Sequence, residues 1–307
     1  MADAQPVIFV GGLGRSGSTL LERLLGELPG VTPLGEVVHL WARGVGADEP
    51  CGCGQRFSQC PFWGKVGARA FGDWRRSRAA VERLRNRVDR TRRVPALAVG
   101  FVGREAELSE YVLAYSRVYA AAAEVADARA IVDSSKHASL AYCLTAIMDL
   151  RVVHVVRDPR AVAASWRSVV RRPEDGRPMT RWTPARTAVH WLAQNLAFEA
   201  LRRKGVEVVR VRYEDLLDDP ARTVRDLAAR LGLDAGDLGF LGDREARLGV
   251  AHTVSGNPMR FAVGRIALRR RPAPLPPYQR WLVTALTLPL FLAYGYRPRR
   301  PATRGRR

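Results

Sequence analysis

At 307 residues and 47% hydrophobic composition, the chain lies between one large domain and two small ones, and one domain of residues 1–307 with an insertion over about 42–128 is expected. Its 50 Lys and Arg against 30 Asp and Glu give a formal charge of +20, which favours an anionic partner: a nucleotide, an acidic acceptor, nucleic acid or an anionic membrane surface. Met1 leads through a short polar stretch straight into Val7–Val10, without the basic region and long apolar core of a secretory signal, so a cytoplasmic chain is expected.

The first unit reads strand, turn, helix. Val7–Val10 is a short β-branched run, Gly11–Gly17 is a glycine-rich turn, and Ser18–Leu28 has helical apolar spacing at Leu20, Leu21, Leu24, Leu25 and Leu28. Cys51, Cys53 and Cys60 then form a local cluster, one ligand short of the four that a structural zinc usually takes, and no metal is expected. Trp74–Val94 is basic and helical in pattern, and Glu105–Val125 is a second helical stretch.

Three further apolar runs read as strands: Ala130–Asp133, closed by Ser134-Ser135-Lys136; Val152–Val156, closed by Arg157-Asp158-Pro159-Arg160; and Val206–Val211, closed by Arg212-Tyr213-Glu214-Asp215-Leu216. Four continuous apolar strands, most followed by helices, predict an α/β fold with a P-loop-like parallel sheet covered by helices on both faces. Ligands of such sheets bind beyond the carboxyl ends of the strands, where all of these polar turns fall. The apolar stretch Trp281–Tyr296 contains Pro289 and is shorter than the roughly 20 residues of a spanning helix. It reads as a buried C-terminal helix, part of a C-terminal lid segment, followed by an arginine-rich tail at 297–307 that is available for peripheral contact with an anionic inner membrane surface.

Gly12-Leu13-Gly14-Arg15-Ser16-Gly17-Ser18-Thr19 sits between a strand and a helix, where backbone N–H groups and the helix dipole favour a bound phosphate. A nucleotide kinase loop has lysine where this chain has Ser18. The basic residue is instead Arg15, a shift that suits a donor with a single 5′-phosphate.

Here the sequence resembles the sulfotransferases that use 3′-phosphoadenosine 5′-phosphosulfate (PAPS), whose 5′-phosphosulfate loop reads much like Arg15-Ser16-Gly17-Ser18-Thr19-Leu20. The resemblance implies PAPS as co-substrate, a hydroxyl acceptor (glycan, lipid or other small molecule), no required metal, and 5′-side contacts at Gly14, Arg15, Ser16, Gly17, Ser18 and Thr19. It also implies a 3′-phosphate element at Arg157 and, eight positions on, Ser165, with Tyr213 nearby. A guanidinium and a hydroxyl make a sensible pair for a phosphate monoester. Without the resemblance, Arg157–Arg160 reads equally as a helix-capping ion pair and Tyr213 as a strand-end core aromatic. Gly256-Asn257-Pro258-Met259-Arg260-Phe261 is similar to a block of bacterial members, with Asn257 and Arg260 as implied nucleotide contacts, and the overall likeness is to the tyrosylprotein and carbohydrate branch.

Sulfuryl transfer builds negative charge on the leaving oxygen, which makes Arg15 the first candidate for its stabilisation. Glu36, in Leu34-Gly35-Glu36, is the candidate general base, with a surface carboxylate as its bland reading and His39 or His137 as substitutes. Lys136 lies at a strand end and is a candidate contact to the leaving oxygen or the acceptor. Asp133 either caps the following helix or orients Arg15. Two other classes stay open: a P-loop phosphotransferase or NTPase, which needs a lysine at position 18 and usually a magnesium-binding carboxylate, and a basic membrane-surface or nucleic-acid binding protein. No zinc-finger, helix-turn-helix or aromatic RNA motif accompanies the charge, so no specific nucleic-acid partner is expected.

Overall fold

The structure is a computed structural model that describes residues 5–172, 175–268 and 275–298. The predicted basic tail falls outside the described residues except for Arg297 and Pro298. Five strands, β1 (Val7–Gly11), β2 (Val31–Gly35), β3 (Ala130–Lys136), β4 (Leu150–Val156) and β5 (Val208–Arg212), form one sheet in the order β2-β3-β1-β4-β5. Every pair in it is parallel. β1 is central and wholly buried: Val7 and Phe9 enter one apolar cluster while Ile8 and Val10 enter the other, on the opposite face. Burial on both faces explains the unbroken apolar run, because neither side of the pleat meets water.

The four strands read from the sequence are all in this sheet, and β2 is its one strand that was not read. Its sequence, Val-Thr-Pro-Leu-Gly, carries a proline that would break a ladder in a central strand. β2 is an edge strand, the place where a strand proline is tolerated.

The helices are α1 (Ser18–Leu25), α2 (Pro61–Phe71), α3 (Trp74–Val88), α4 (Val94–Ala98), α5 (Glu105–Ala126), α6 (Ala138–Thr145), α7 (Pro159–Arg167), α8 (Pro184–Arg203), α9 (Tyr213–Asp218), α10 (Pro220–Arg230) and α11 (Pro277–Ala293). α2 and α3 pack on α5, so the segment between β2 and β3 builds a helical layer of its own. α11, expected as a buried C-terminal helix, buries only the stripe Val283, Thr287 and Phe291 and leaves Trp281, Leu288 and Leu292 exposed; it packs against α7 and α8 and does not line the cleft described below. No helix of the described residues is long and apolar enough to cross a membrane. A small antiparallel sheet, β6 (Leu241–Gly242), β7 (Glu245–Leu248) and β8 (Gly264–Ala267), follows α10.

α5 carries Tyr111, Tyr115 and Tyr119 at four-residue spacing, all buried. Such spacing puts the three on one face. Tyr111 Oη donates to Asp89 Oδ2 at 2.9 Å, and Tyr119 Oη donates to Asp133 Oδ2 at 2.6 Å. This polar stripe therefore ends at β3, beside the strand ends that form the site.

Candidate functional site

The carboxyl ends of β1, β2, β3, β4 and β5 border a cleft of about 560 Å³. The loop after β1 turns sharply enough to need glycine at two points. Gly12 has φ +137° and a Cβ there would overlap the Val155 carbonyl, while at Gly17, with φ +100°, it would lie 2.5 Å from Cε2 of Tyr213. Gly17 is the N-cap of α1 and makes no side-chain cap bond. Among the described residues the N–H groups of Gly14, Arg15, Gly17, Ser18 and Thr19 find no protein acceptor, so the start of the helix presents unspent donors to the cleft. Ser16 is the exception. It is 1% exposed, its N–H donates to Leu13 O at 3.1 Å, and it does not line the cleft, so the structure does not bring the predicted nucleotide contact Ser16 to the other site residues.

Arg15 itself takes φ +74° and lies over Trp166, 5.6 Å from the ring centroid. Burial lowers its pKa from the usual arginine value, against an opposing pull from Glu36. Trp166 fixes the loop from above by donating from Nε1 to Gly14 O at 2.9 Å. Arg157, at the end of β4, donates to Arg15 O at 2.9 Å and stacks on Tyr213 at 4.5 Å. The guanidinium thus joins the two strand-end turns. Arg157, Ser165 and Tyr213 all line the cleft.

The Arg157–Arg160 turn divides its work. Asp158 caps α7 through Arg160 N at 2.8 Å and pairs with the Arg160 guanidinium at 2.6 Å, which is the ion-pair reading, while Arg157 alone faces the cleft.

Glu36 and Lys136 meet at the other end. Lys136 Nζ donates to Glu36 Oε1, and His39 Nε2 lies 3.5 Å from Glu36 Oε2. Burial pushes the Glu36 carboxyl up, but Lys136, His39 and His137 together outweigh it and hold the group below the ordinary glutamate value. Burial lowers the pKa of His39 to about 3 and that of His137 as well.

Two buried carboxylates brace this corner. Asp133 accepts from Ser135 N at 2.8 Å, Ser135 Oγ at 2.5 Å, Val37 N at 3.4 Å and Tyr119 Oη. It neither caps the next helix nor reaches Arg15, so both readings offered for it are replaced: it ties β3 to the turn after Glu36. Glu22, which sequence reasoning passed over, accepts from Gly35 N at 2.6 Å and Ser134 Oγ at 2.6 Å. Burial raises Glu22 to about 7 and Asp133 to about 6.

Asn257 lines the cleft and its side chain accepts from Met259 N at 3.1 Å. Arg260 does not line it. Buried at 1% exposure, its guanidinium donates to Pro50 O at 2.7 Å and Thr253 O at 3.2 Å and lies 4.0 Å from the Phe261 centroid. Arg260, a predicted nucleotide contact, is thus not among the residues that the structure brings to the cleft, and it braces its own loop. Arg23 of α1 holds the same loop from beneath, donating to Arg260 O at 2.8 Å and to Gly249 O.

Glu36 is the one carboxylate among the cleft-lining described residues, against the cations Arg15, Arg43, Lys136, Arg157 and Arg172. That donor set suits a polyanion held directly by protein cations. Trp166 and Trp182 stack at 3.8 Å, and His190 lies on Trp182 at 4.6 Å, forming an aromatic wall beside Arg15.

In fold the chain is similar to the sulfotransferase domain of the Synechococcus PCC 7002 olefin synthase, at 19% identity over 97% of this chain and 98% of that one, with a TM-score of 0.51. A sulfotransferase of Mycobacterium tuberculosis H37Rv aligns at 21% identity over 76% of this chain and 69% of that one, with a TM-score of 0.45. No curated protein matches the chain. Residues 6–237, which contain the β1 loop, the Glu36–Lys136 corner and the Arg157 turn, match the model of the sulfotransferase family, and the chain belongs to that family.

Proposed function

We propose that the chain transfers a sulfuryl group from PAPS to the hydroxyl of a small acceptor such as a glycan or lipid, without a required metal. The observation that carries this is the pairing of two anion-binding corners on one cleft: the unspent amides and Arg15 of the β1 loop, and the Arg157–Ser165–Tyr213 group beyond the ends of β4 and β5. The first matches a 5′-phosphosulfate and the second a 3′-phosphate, so the residues fit this nucleotide. Bound there, PAPS supplies an activated sulfuryl group on a good leaving group.

Gly14, Gly17, Ser18 and Thr19 hold the 5′ side through backbone N–H groups and the α1 dipole. Arg15 faces the oxygen on which charge grows, where a preorganised donor stabilises the transition state more than the ground state. Lys136 keeps Glu36 ionised and brings a second cation to the same side. Glu36 accepts the acceptor's proton, and because its pKa is held low it is ready to do so throughout the neutral range. Asn257 closes the nucleotide side from the loop over β2.

Ser18 in place of a lysine, and a cleft with Glu36 as its carboxylate, disfavour a magnesium-dependent phosphotransferase. The test is incubation of the purified protein with PAPS radiolabelled in the sulfuryl group and a fractionated lysate of the source organism. One fraction should become labelled with wild-type protein and stay unlabelled with Glu36→Gln. Labelling from γ-phosphate-labelled ATP in place of PAPS would overturn the reading.

A further inference from the structure

The three cysteines that the sequence leaves one ligand short gain a fourth partner in the fold. Cys51, Cys53 and Cys60 gather around Nδ1 of His252, 192 residues beyond Cys60, and the four ligand atoms lie within 4.8 Å of one another. Cys51 Sγ and Cys60 Sγ are 3.6 Å apart, and Cys53 Sγ and Cys60 Sγ 3.8 Å. His252 Nδ1 lies 3.2 Å from Cys60 Sγ and 3.8 Å from Cys51 Sγ.

These four distances match edges of a metal tetrahedron. With metal–sulfur bonds of about 2.3 Å and metal–nitrogen bonds of about 2.0 Å, a tetrahedral angle sets sulfur–sulfur edges near 3.8 Å and sulfur–nitrogen edges near 3.5 Å. A disulfide would require about 2.05 Å, and all three thiols are free. Buried thiols packed only as small apolar groups would not bring an imidazole nitrogen among them. Here Cys51 is fully buried, Cys60 is 1% exposed, and among the described residues His252 Nδ1 meets only these sulfurs.

The surroundings also suit thiolates. Cys60 is the N-cap of α2, where the helix dipole favours negative charge. Cys51 and Cys53 lie on a tight turn in which Gly54 N donates to Cys51 O at 2.8 Å and Gly54 takes φ +88°. Phe62 stacks on the His252 ring at 5.1 Å and 15°, fixing its plane.

We propose that Cys51, Cys53, Cys60 and His252 bind one zinc ion in a closed structural site. Three thiolates and one imidazole in tetrahedral array are a zinc donor set, with no position left open for substrate. The site would clip the segment after β2 to the loop that follows the small sheet. That loop in turn sets the base: Gly52 N donates to Thr253 O at 2.9 Å, Val254 N to Leu34 O at 2.8 Å, and Val254 O accepts from Glu36 N at 2.7 Å. The zinc sits two residues from the bridge that orients Glu36. This inference stands independently of the nucleotide and acceptor named above.

The test begins with elemental analysis of the purified full-length protein, produced with zinc in the medium and dialysed against metal-free buffer. About one zinc per chain is expected. Cys51→Ser, Cys60→Ser and His252→Ala should fall to near zero, while Cys143→Ser, which alters a buried thiol outside the cluster, should keep its zinc. Should those variants fail to fold, wild-type protein reconstituted with cobalt should show the visible bands of a tetrahedral ion and thiolate-to-cobalt charge transfer in the near ultraviolet. Chelated protein should exchange the amides of Glu36 and Val254 faster than the zinc-loaded form. Wild-type protein that holds no zinc and gives no tetrahedral cobalt spectrum, that carries iron instead, or that yields a disulfide between two of these cysteines by mass spectrometry overturns the site. Unchanged exchange at Glu36 and Val254 overturns its role as a clip.

Discussion

Gly17→Ala separates the cradle from the fold that carries it. The new Cβ would stand at φ +100°, 2.5 Å from Cε2 of Tyr213 and nearer still to Cδ2, so the ring must withdraw by more than an ångström to reach ordinary contact. Backbone strain at such a position costs roughly 1–3 kcal/mol and lowers stability. The binding loss is a separate quantity. Moving Tyr213 off Arg157, on which it now stacks at 4.5 Å, forfeits about 0.5–2 kcal/mol, and turning one N–H away from a phosphate forfeits about 1.5–3 kcal/mol. Binding of the product nucleotide PAP should weaken by about 2–5 kcal/mol, roughly 30- to 5000-fold in Kd. Isothermal titration reads this directly. Gly205→Ala is the control, because Gly205 has φ +90° but a Cβ there meets nothing within 4 Å. It should lower the melting temperature comparably and leave PAP binding alone. If Gly17→Ala binds PAP within about threefold of wild type, or if Gly205→Ala weakens binding equally, the loop after β1 is not the phosphate cradle.

Four other outcomes are expected. Arg157→Ala and Ser165→Ala should weaken PAP far more than adenosine 5′-phosphosulfate, which lacks the 3′-phosphate, and equal losses in titration would show that this element is misplaced. Arg15→Ala should lower kcat by roughly a hundredfold or more while PAPS affinity changes less. Glu36→Gln should leave PAP binding intact and cut turnover by about 10²–10⁴-fold; in wild type, activity should hold as pH drops through neutrality and decline only below the ordinary glutamate range, because the folded pKa is depressed. Glu22 shows the opposite linkage: its folded value of about 7 exceeds the usual 4.5, so the folded state binds the extra proton between those values and stability falls as pH rises through that window. Denaturant titrations from pH 4.5 to 7 should therefore show Glu22→Gln gaining on wild type by on the order of 2–3 kcal/mol, and a constant difference would refute the assignment.

The parts of the site that lie next to one another in sequence were legible: the β1 run, the glycine turn and α1 are one continuous signal, and so are the ends of β3, β4 and β5. What the sequence hid depends on distant partners. Glu22 sits among leucines in a helix and looks like a solvent-facing carboxylate until Gly35 and Ser134 are brought to it. His252 lies too far from the cysteines for spacing to connect them. β2 was masked by Pro33, and β6, at two residues, is too short to carry a period. Arginine in a glycine-bearing loop suggests an anion, but Nη1 of Arg260 donates to the Pro50 and Thr253 carbonyls and the side chain is buried away from the cleft. α8 announces itself by Thr183 and Pro184, a cap and first-turn pair, yet its apolar residues are spread around the helix and gave no stripe to read.

The claim that two anion corners form one PAPS site is tested most directly by isothermal titration of the full-length protein with PAP and with ATP, each with and without magnesium. PAP should bind in the micromolar range or tighter with the same affinity in both buffers, and ATP more weakly in either. Tighter binding of ATP than of PAP, appearing only when magnesium is present, would contradict it.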